Sequence, residues 1–143
     1  MKRLPAPSPR RQFGAVLASL LGITGLGLAG GADAASPDAV SLDTARAELE
    51  AGRAVVFDIR EPMEHAGGVA AGARLLPMRQ MGARLAEIPT DPKQPVLLIC
   101  NTQNRSKATL EALRQRGYPN VRYVEGGMSE WARRGWPMVP PTR

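Results

Sequence analysis

Apolar residues fall in short runs separated by polar or glycine- and proline-rich spacers. Ala54-Val55-Val56-Phe57-Asp58-Ile59 is a compact apolar run, the pattern of a parallel strand buried on both faces. Val96-Leu97-Leu98-Ile99 is the strongest such run and leads straight into Cys100. Val121-Arg122-Tyr123-Val124 is a third, and Arg74-Leu75-Leu76 a short fourth. Between these runs the apolar period lengthens. Ser41 stands as an N-cap before Leu42, Ala45 and Leu49, predicting a helix through Glu50 that Gly52 closes. A polar, glycine-rich connection over 60–73 holds one helical turn at 62–66. Residues 79–88 predict a helix with Leu85 and Ile88 inward, and Pro89, Pro92 and Pro95 then forbid regular structure. Residues 106–116 predict a helix with Ala108, Leu110 (or Thr109), Ala112 and Leu113 on its apolar side, closed by Gly117. Gly126-Gly127 marks a turn, and 128–134 a last helix carrying Trp131.

Strands alternating with helices predict an α/β fold, a central and mainly parallel sheet flanked by helices on both faces. Sites in such sheets form beyond the carboxyl ends of strands. Cys100 stands at one.

The first 34 residues do not share this alternation. Lys2, Arg3, Arg10 and Arg11 precede an apolar stretch over 14–31, which ends in Ala32-Asp33-Ala34. A charged start, an apolar core and a small-residue A-x-A site are the order of a cleaved secretory signal. A spanning helix needs about 20 apolar residues; this run is shorter, holds six glycines and has no basic flank after it. Arg10-Arg11-Gln12-Phe13 resembles a twin-arginine export signal, although Pro9 and Gly14 depart from its usual neighbours. The expected organisation is a signal at 1–34, a linker at 35–40, one domain at 41–139 and a tail at 140–143. The expected location is the periplasm, with no membrane attachment after cleavage. Removing the signal takes four basic residues and one acidic residue with it, so the net charge of +6 falls to +3. That mild surplus suits small anions. It does not point to nucleic acid, because no basic run with interleaved aromatics occurs.

The chain has one cysteine and one histidine, His65. An internal disulfide and a structural zinc site are both excluded. A solitary thiol in an oxidising compartment is either buried and inert or used for chemistry. Here it opens the segment Cys100-Asn101-Thr102-Gln103-Asn104-Arg105-Ser106, between a buried strand and a helix. A short loop at that place turns backbone N–H groups inward as an anion-binding nest. The following helix adds its positive end, and Arg105 adds a charge, or else orients the loop through its carbonyls. These features favour a thiolate and would equally hold a persulfide anion.

The motifs together resemble the rhodanese domain. Asp58-Ile59-Arg60-Glu61-Pro62 is similar to its first-strand motif, and 64–73, ending in Gly72-Ala73, to the segment that follows. Cys100 with Arg105-Ser106 is similar to its active loop. Glu125-Gly126-Gly127, Trp131, Gly135 and Pro137 are similar to its closing pattern. The resemblance covers nearly all of 41–139. It implies a sulfurtransferase: Cys100 attacks the sulfane sulfur of a small anionic donor such as thiosulfate, and the persulfide passes sulfur to cyanide, a thiol or a protein acceptor. No metal or organic cofactor is implied. Four residues separate Cys100 from Arg105; phosphatases of the same fold have a longer loop and a wider cradle.

Two positions depart from the family. Glycine usually stands where Gln103 does, so Gln103 is expected to twist the loop or project over the sulfur. Histidine often stands where Val69 does. Asn101 and Thr102 are uncharged and attract anionic donors less than basic residues would. Asp58 is either a partner fixing Arg60 or the loop, or a plain turn-former. Arg60 either meets an anionic donor at the mouth or pairs with Glu61 or Glu64 at the surface. His65 lacks any reason to approach Cys100, and Trp131 is expected in the core. Two other readings of Cys100 stay open: a non-catalytic sulfur carrier or interaction module, and a redox thiol passing through a sulfenic acid.

Overall fold

The computed structural model describes residues 36–142. The signal expected at 1–34 lies outside the described residues.

Five strands form one sheet: β1 (Ala39–Val40), β2 (Val55–Asp58), β3 (Arg74–Leu75), β4 (Val96–Ile99) and β5 (Val121–Val124). Their order is β1-β5-β4-β2-β3, and every neighbouring pair is parallel. Helices α1 (Leu42–Glu50), α2 (Pro62–His65) and α3 (Asn104–Gln115) lie between successive strands, 3₁₀ turns lie between β3 and β4, and α4 (Gly127–Arg133) follows β5. The strongest apolar run, β4, takes the central position and is buried along its whole length.

Side chains alternate across the sheet. Val96, Leu98 and Cys100 join Phe57, Ile59, Leu110 and Leu113 in one core layer, beneath α3. Leu97 and Ile99 join Val56, Leu42, Ala45, Met128 and Trp131 in the other, beneath α1 and α4. The expected α/β fold with helices on both faces is therefore present.

Three expectations need correction. Ala39 and Val40, placed in a linker, pair with Tyr123 and Val124 as an edge strand; two residues are too short for their period to be read. The helix expected over 79–88 is two 3₁₀ segments, Met78–Gln80 and Gly82–Glu87, kinked at Arg84. The helix expected from Ser106 starts two residues earlier, at Asn104. By contrast α1 forms as predicted, with Ser41 Oγ accepting the Thr44 N–H at 3.2 Å. Val69 is buried and exchanges both backbone hydrogen bonds with Val139, at 2.9 Å each, which fastens the last strand-like segment to the domain.

Candidate active site

Strand β4 ends at Ile99, and the next residue, Cys100, is fully buried. Asn101, Thr102, Gln103 and Asn104 are exposed, Arg105 is partly exposed, and Ser106 is buried. The predicted segment thus runs from the buried thiol through exposed loop residues into the start of α3.

The orientation of this turn follows from α4. The Met128 N–H donates to the Cys100 carbonyl at 2.8 Å, and the Ser129 N–H to the Asn101 carbonyl at 2.9 Å. A trans peptide points its C=O and N–H in opposite directions. With these carbonyls drawn toward α4, the N–H groups that follow them face the other side of the sheet, where the Cys100 side chain lies. Gly127 makes this approach feasible. Its φ is +60°, and a Cβ there would fall 2.2 Å from the Thr102 carbonyl oxygen and 2.5 Å from that of Cys100.

Among the described residues, the backbone N–H groups of 101–106 donate to no protein acceptor. Three of them open α3, whose N-cap, Gln103, makes no side-chain cap. Uncapped N–H groups at a helix start are an anion site. The arrangement is chemically suited to holding negative charge on, or just beyond, the sulfur of Cys100.

Gln103 does not behave as expected. Its φ is −155°, so the position does not require glycine. Its Oε1 accepts the Gly126 N–H at 3.2 Å, which ties the side chain to the start of α4. The loop accepts glutamine because α4 supplies a donor for it.

Arg105 bonds no loop carbonyl. Its Nη1 and Nη2 donate to Glu64 Oε2 and Oε1 at 2.8 and 2.6 Å. Those charge-assisted bonds, more than any other influence, hold the Glu64 carboxyl down at about 2, and in turn raise the pKa of Arg105. Glu64 Oε2 also accepts the Glu61 N–H at 2.9 Å, closing a capping box on α2. Glu64 thus joins α2 to the loop. The sequence held a partial signal in Glu61-Pro62-Met63-Glu64, the spacing of a capping box. Its partner lies 41 residues away, beyond the reach of any local pattern.

Asp58 and Arg60 do not reach the loop. Asp58 shares the sheet face of Val56 and Ile99, opposite Cys100, and both residues are buried. Arg60 turns inward, not to the mouth and not to a surface carboxylate. Its Nη2 donates to Asp58 Oδ2 at 2.7 Å and to the Gly68 carbonyl at 2.9 Å, and its Nε to Asp58 Oδ1 at 3.0 Å. The pair braces the segment that carries α2, whose Glu64 holds Arg105. His65 packs beside them, its Nε2 3.3 Å from Asp58 Oδ1 but outside hydrogen-bonding geometry. The Ser106 Oγ is buried without a hydrogen-bond partner among the described residues. Two clefts, of about 320 and 390 Å³, lie beside α3 and α2, and neither is lined by a residue of 100–106.

Residues 41–134 match the family model of the rhodanese-like domain. The chain belongs to the rhodanese-like family. A sulfurtransferase of Allochromatium vinosum is 38% identical over 104 residues, covering 73% of this chain and 94% of the relative. A rhodanese-related protein of Thermoplasma volcanium superposes with a TM-score of 0.60 at 30% identity, over 72% of this chain and 98% of its own. A human single-domain sulfurtransferase does so with a TM-score of 0.60 at 25% identity, over 68% and 97%. Within this rhodanese-like domain, the sequence motif begins at Cys100, and the backbone N–H groups that follow it meet no protein acceptor among the described residues.

Proposed function

We propose that this protein is a sulfurtransferase that carries sulfur as a persulfide on Cys100. The observation that carries this reading is the row of unpartnered backbone N–H groups over 101–106 around a thiol at a strand end. In the first step the Cys100 thiolate attacks the sulfane sulfur of a donor such as thiosulfate. The Sγ–S bond forms, the donor's S–S bond breaks, and its electron pair leaves on sulfite. In the second step a thiol or cyanide attacks the outer sulfur, and the pair returns to Cys100. Negative charge rests on sulfur at each stage, where the N–H groups of Asn101, Thr102, Gln103, Asn104, Arg105 and Ser106 stabilise it without reorganising. Asp58 and Arg60 support this site through α2. The charged and apolar order of residues 1–34 supports a periplasmic place of action, with a small sulfur-bearing anion as donor and a thiol or protein as acceptor.

The complete burial of the Cys100 thiol favours one rival, a sulfur carrier or interaction module without turnover. One experiment separates the two. The protein is incubated with thiosulfate and its intact mass is compared with that of Cys100→Ser. Gain of one sulfur atom, removed by cyanide and absent from the variant, is the expected result. A folded protein with a free thiol that gains no sulfur from thiosulfate or any other sulfane donor would leave the interaction module standing. A gain of oxygen would identify a redox thiol.

A further inference from the structure

If sulfur transfer occurs at Cys100, the charges around the loop bear on which donors it accepts. Thiosulfate is a dianion and must approach a thiolate. Besides Cys100 itself, Arg105 is the one ionisable side chain in the segment 100–106. Both of its terminal nitrogens are bound to Glu64, at 2.8 and 2.6 Å. The charge of Glu61 also acts on Arg105. Arg60, the other nearby guanidinium, is turned away and buried against Asp58. Lys107 lies two residues beyond Arg105, and residues two apart on a helix do not share a face. The rim therefore sets Glu61 and Glu64 against the single charge of Arg105. Attraction for an anion comes from backbone dipoles, which act at short range.

We propose that Glu64 works as a charge filter through Arg105, so that Cys100 favours sulfane donors carrying at most one negative charge, persulfides and thiosulfonates, over the thiosulfate dianion. This rests on the sulfur-transfer reading above. With a persulfide R–S–S–H, the Sγ–S bond forms and the donor's S–S bond breaks. The electron pair leaves on RS⁻, and the transferred sulfur keeps its proton. Glu64 is a positioning residue here, because it touches Arg105 and not the donor.

The test compares sulfur uptake by Cys100 from thiosulfate and from methanethiosulfonate, a monoanion with a methyl group in place of one charged oxygen. Rates are read by rapid quench and intact mass over a range of salt. In the wild type, salt should speed uptake from thiosulfate relative to methanethiosulfonate, because screening weakens repulsion. Glu64→Gln frees the charge of Arg105, and the thiosulfate-to-methanethiosulfonate rate ratio should rise about fivefold, the scale of one exposed charge interaction. The salt dependence of that ratio should then weaken. Thr102→Lys adds a cation at an exposed loop position and leaves the clamp intact, so it should move the ratio in the same direction. A clamp that only holds the loop would change both rates together in Glu64→Gln, and an unchanged ratio in the two variants would overturn the proposal. Wild-type uptake from neither donor, nor from a persulfide, would overturn the sulfur-transfer reading and this one with it. Uptake from both with no ratio change removes the filter alone.

Discussion

Glu64 and Gly127 show how much single residues decide. Glu64 is a carboxylate whose folded pKa, about 2, lies below its ordinary value of 4.5 because of Arg105. A depressed folded pKa contributes stability that is complete above about pH 4.5 and is lost as pH falls toward 2. The melting temperatures of the wild type and Glu64→Gln should therefore differ at pH 7 and converge between pH 4.5 and 2.5. A gap that stays constant through that window would show that the clamp adds no pH-linked stability. Gly127 is a second case. A side chain there meets three loop carbonyls, at 2.2, 2.5 and 2.6 Å, from a backbone at φ +60°. Gly127→Ala should cost about 2 kcal/mol or more in denaturant unfolding, and should cut sulfur uptake further by turning the 101 and 102 peptides. The double glycine at 126–127 was legible as a turn. The requirement for Gly127 was not, because the atoms that crowd it belong to another element.

Among the elements, α2 is the smallest and bears most directly on the site. It spans four residues, Pro62–His65, and cannot be stable alone. Proline at its start and a capping box set its first turn, and Arg60 binds the Glu64 carbonyl at 3.4 Å and the Gly68 carbonyl at 2.9 Å beyond its end. Arg60 is itself held by Asp58, in a pair with side chains 7% and 0% exposed. Removing one partner of a buried pair leaves a charge without compensation. Arg60→Met should therefore destabilise the domain by about 3–5 kcal/mol, measured by urea unfolding, and in its surviving folded fraction the thiosulfate-to-methanethiosulfonate rate ratio should rise, because α2 no longer holds Glu64 firmly against Arg105. Asp58→Asn with Arg60→Met, which removes both charges, should recover part of the stability. The strand motif Asp58-Ile59-Arg60 is plain in the sequence. Its inward use depends on the Gly68 carbonyl returning to meet the guanidinium, which no spacing reveals.

At the scale of the molecule, the parallel sheet brings the ends of β2 and β4 side by side, with Asp58 paired to Ile99. The alternation of side chains then sends Asp58 to one face and Cys100 to the other. Leu98 lies in the central strand, fully buried in the core layer that holds Cys100. Leu98→Ala should lose about 2–5 kcal/mol, seen as a lower urea midpoint with little change in slope, and it should loosen the floor beneath the thiol. Trp136 shows the same dependence on assembly. It meets Trp131 edge-on at 5.0 Å, and the guanidinium groups of Arg46 and Arg134 stand 4.7 and 5.0 Å from its ring centroid. Helix α1 supplies Arg46, which covers it.

The sequence alone determined β2 to β5 and helices α1 to α4, the family, and the segment 100–106 at the end of the central strand. These features are written in local periodicity and in short motifs, and burial of each apolar run requires little more than a neighbour. Only the tertiary structure decided that Arg105 is neutralised by Glu64, that Gln103 is tied to Gly126, that Asp58 and Arg60 face away from the thiol, and that α4 turns the loop carbonyls outward. Each of these is a pairing between polar groups on different elements. Such pairings depend on distances of about 3 Å between atoms far apart in sequence, and those distances exist only once the sheet has set its strands in register.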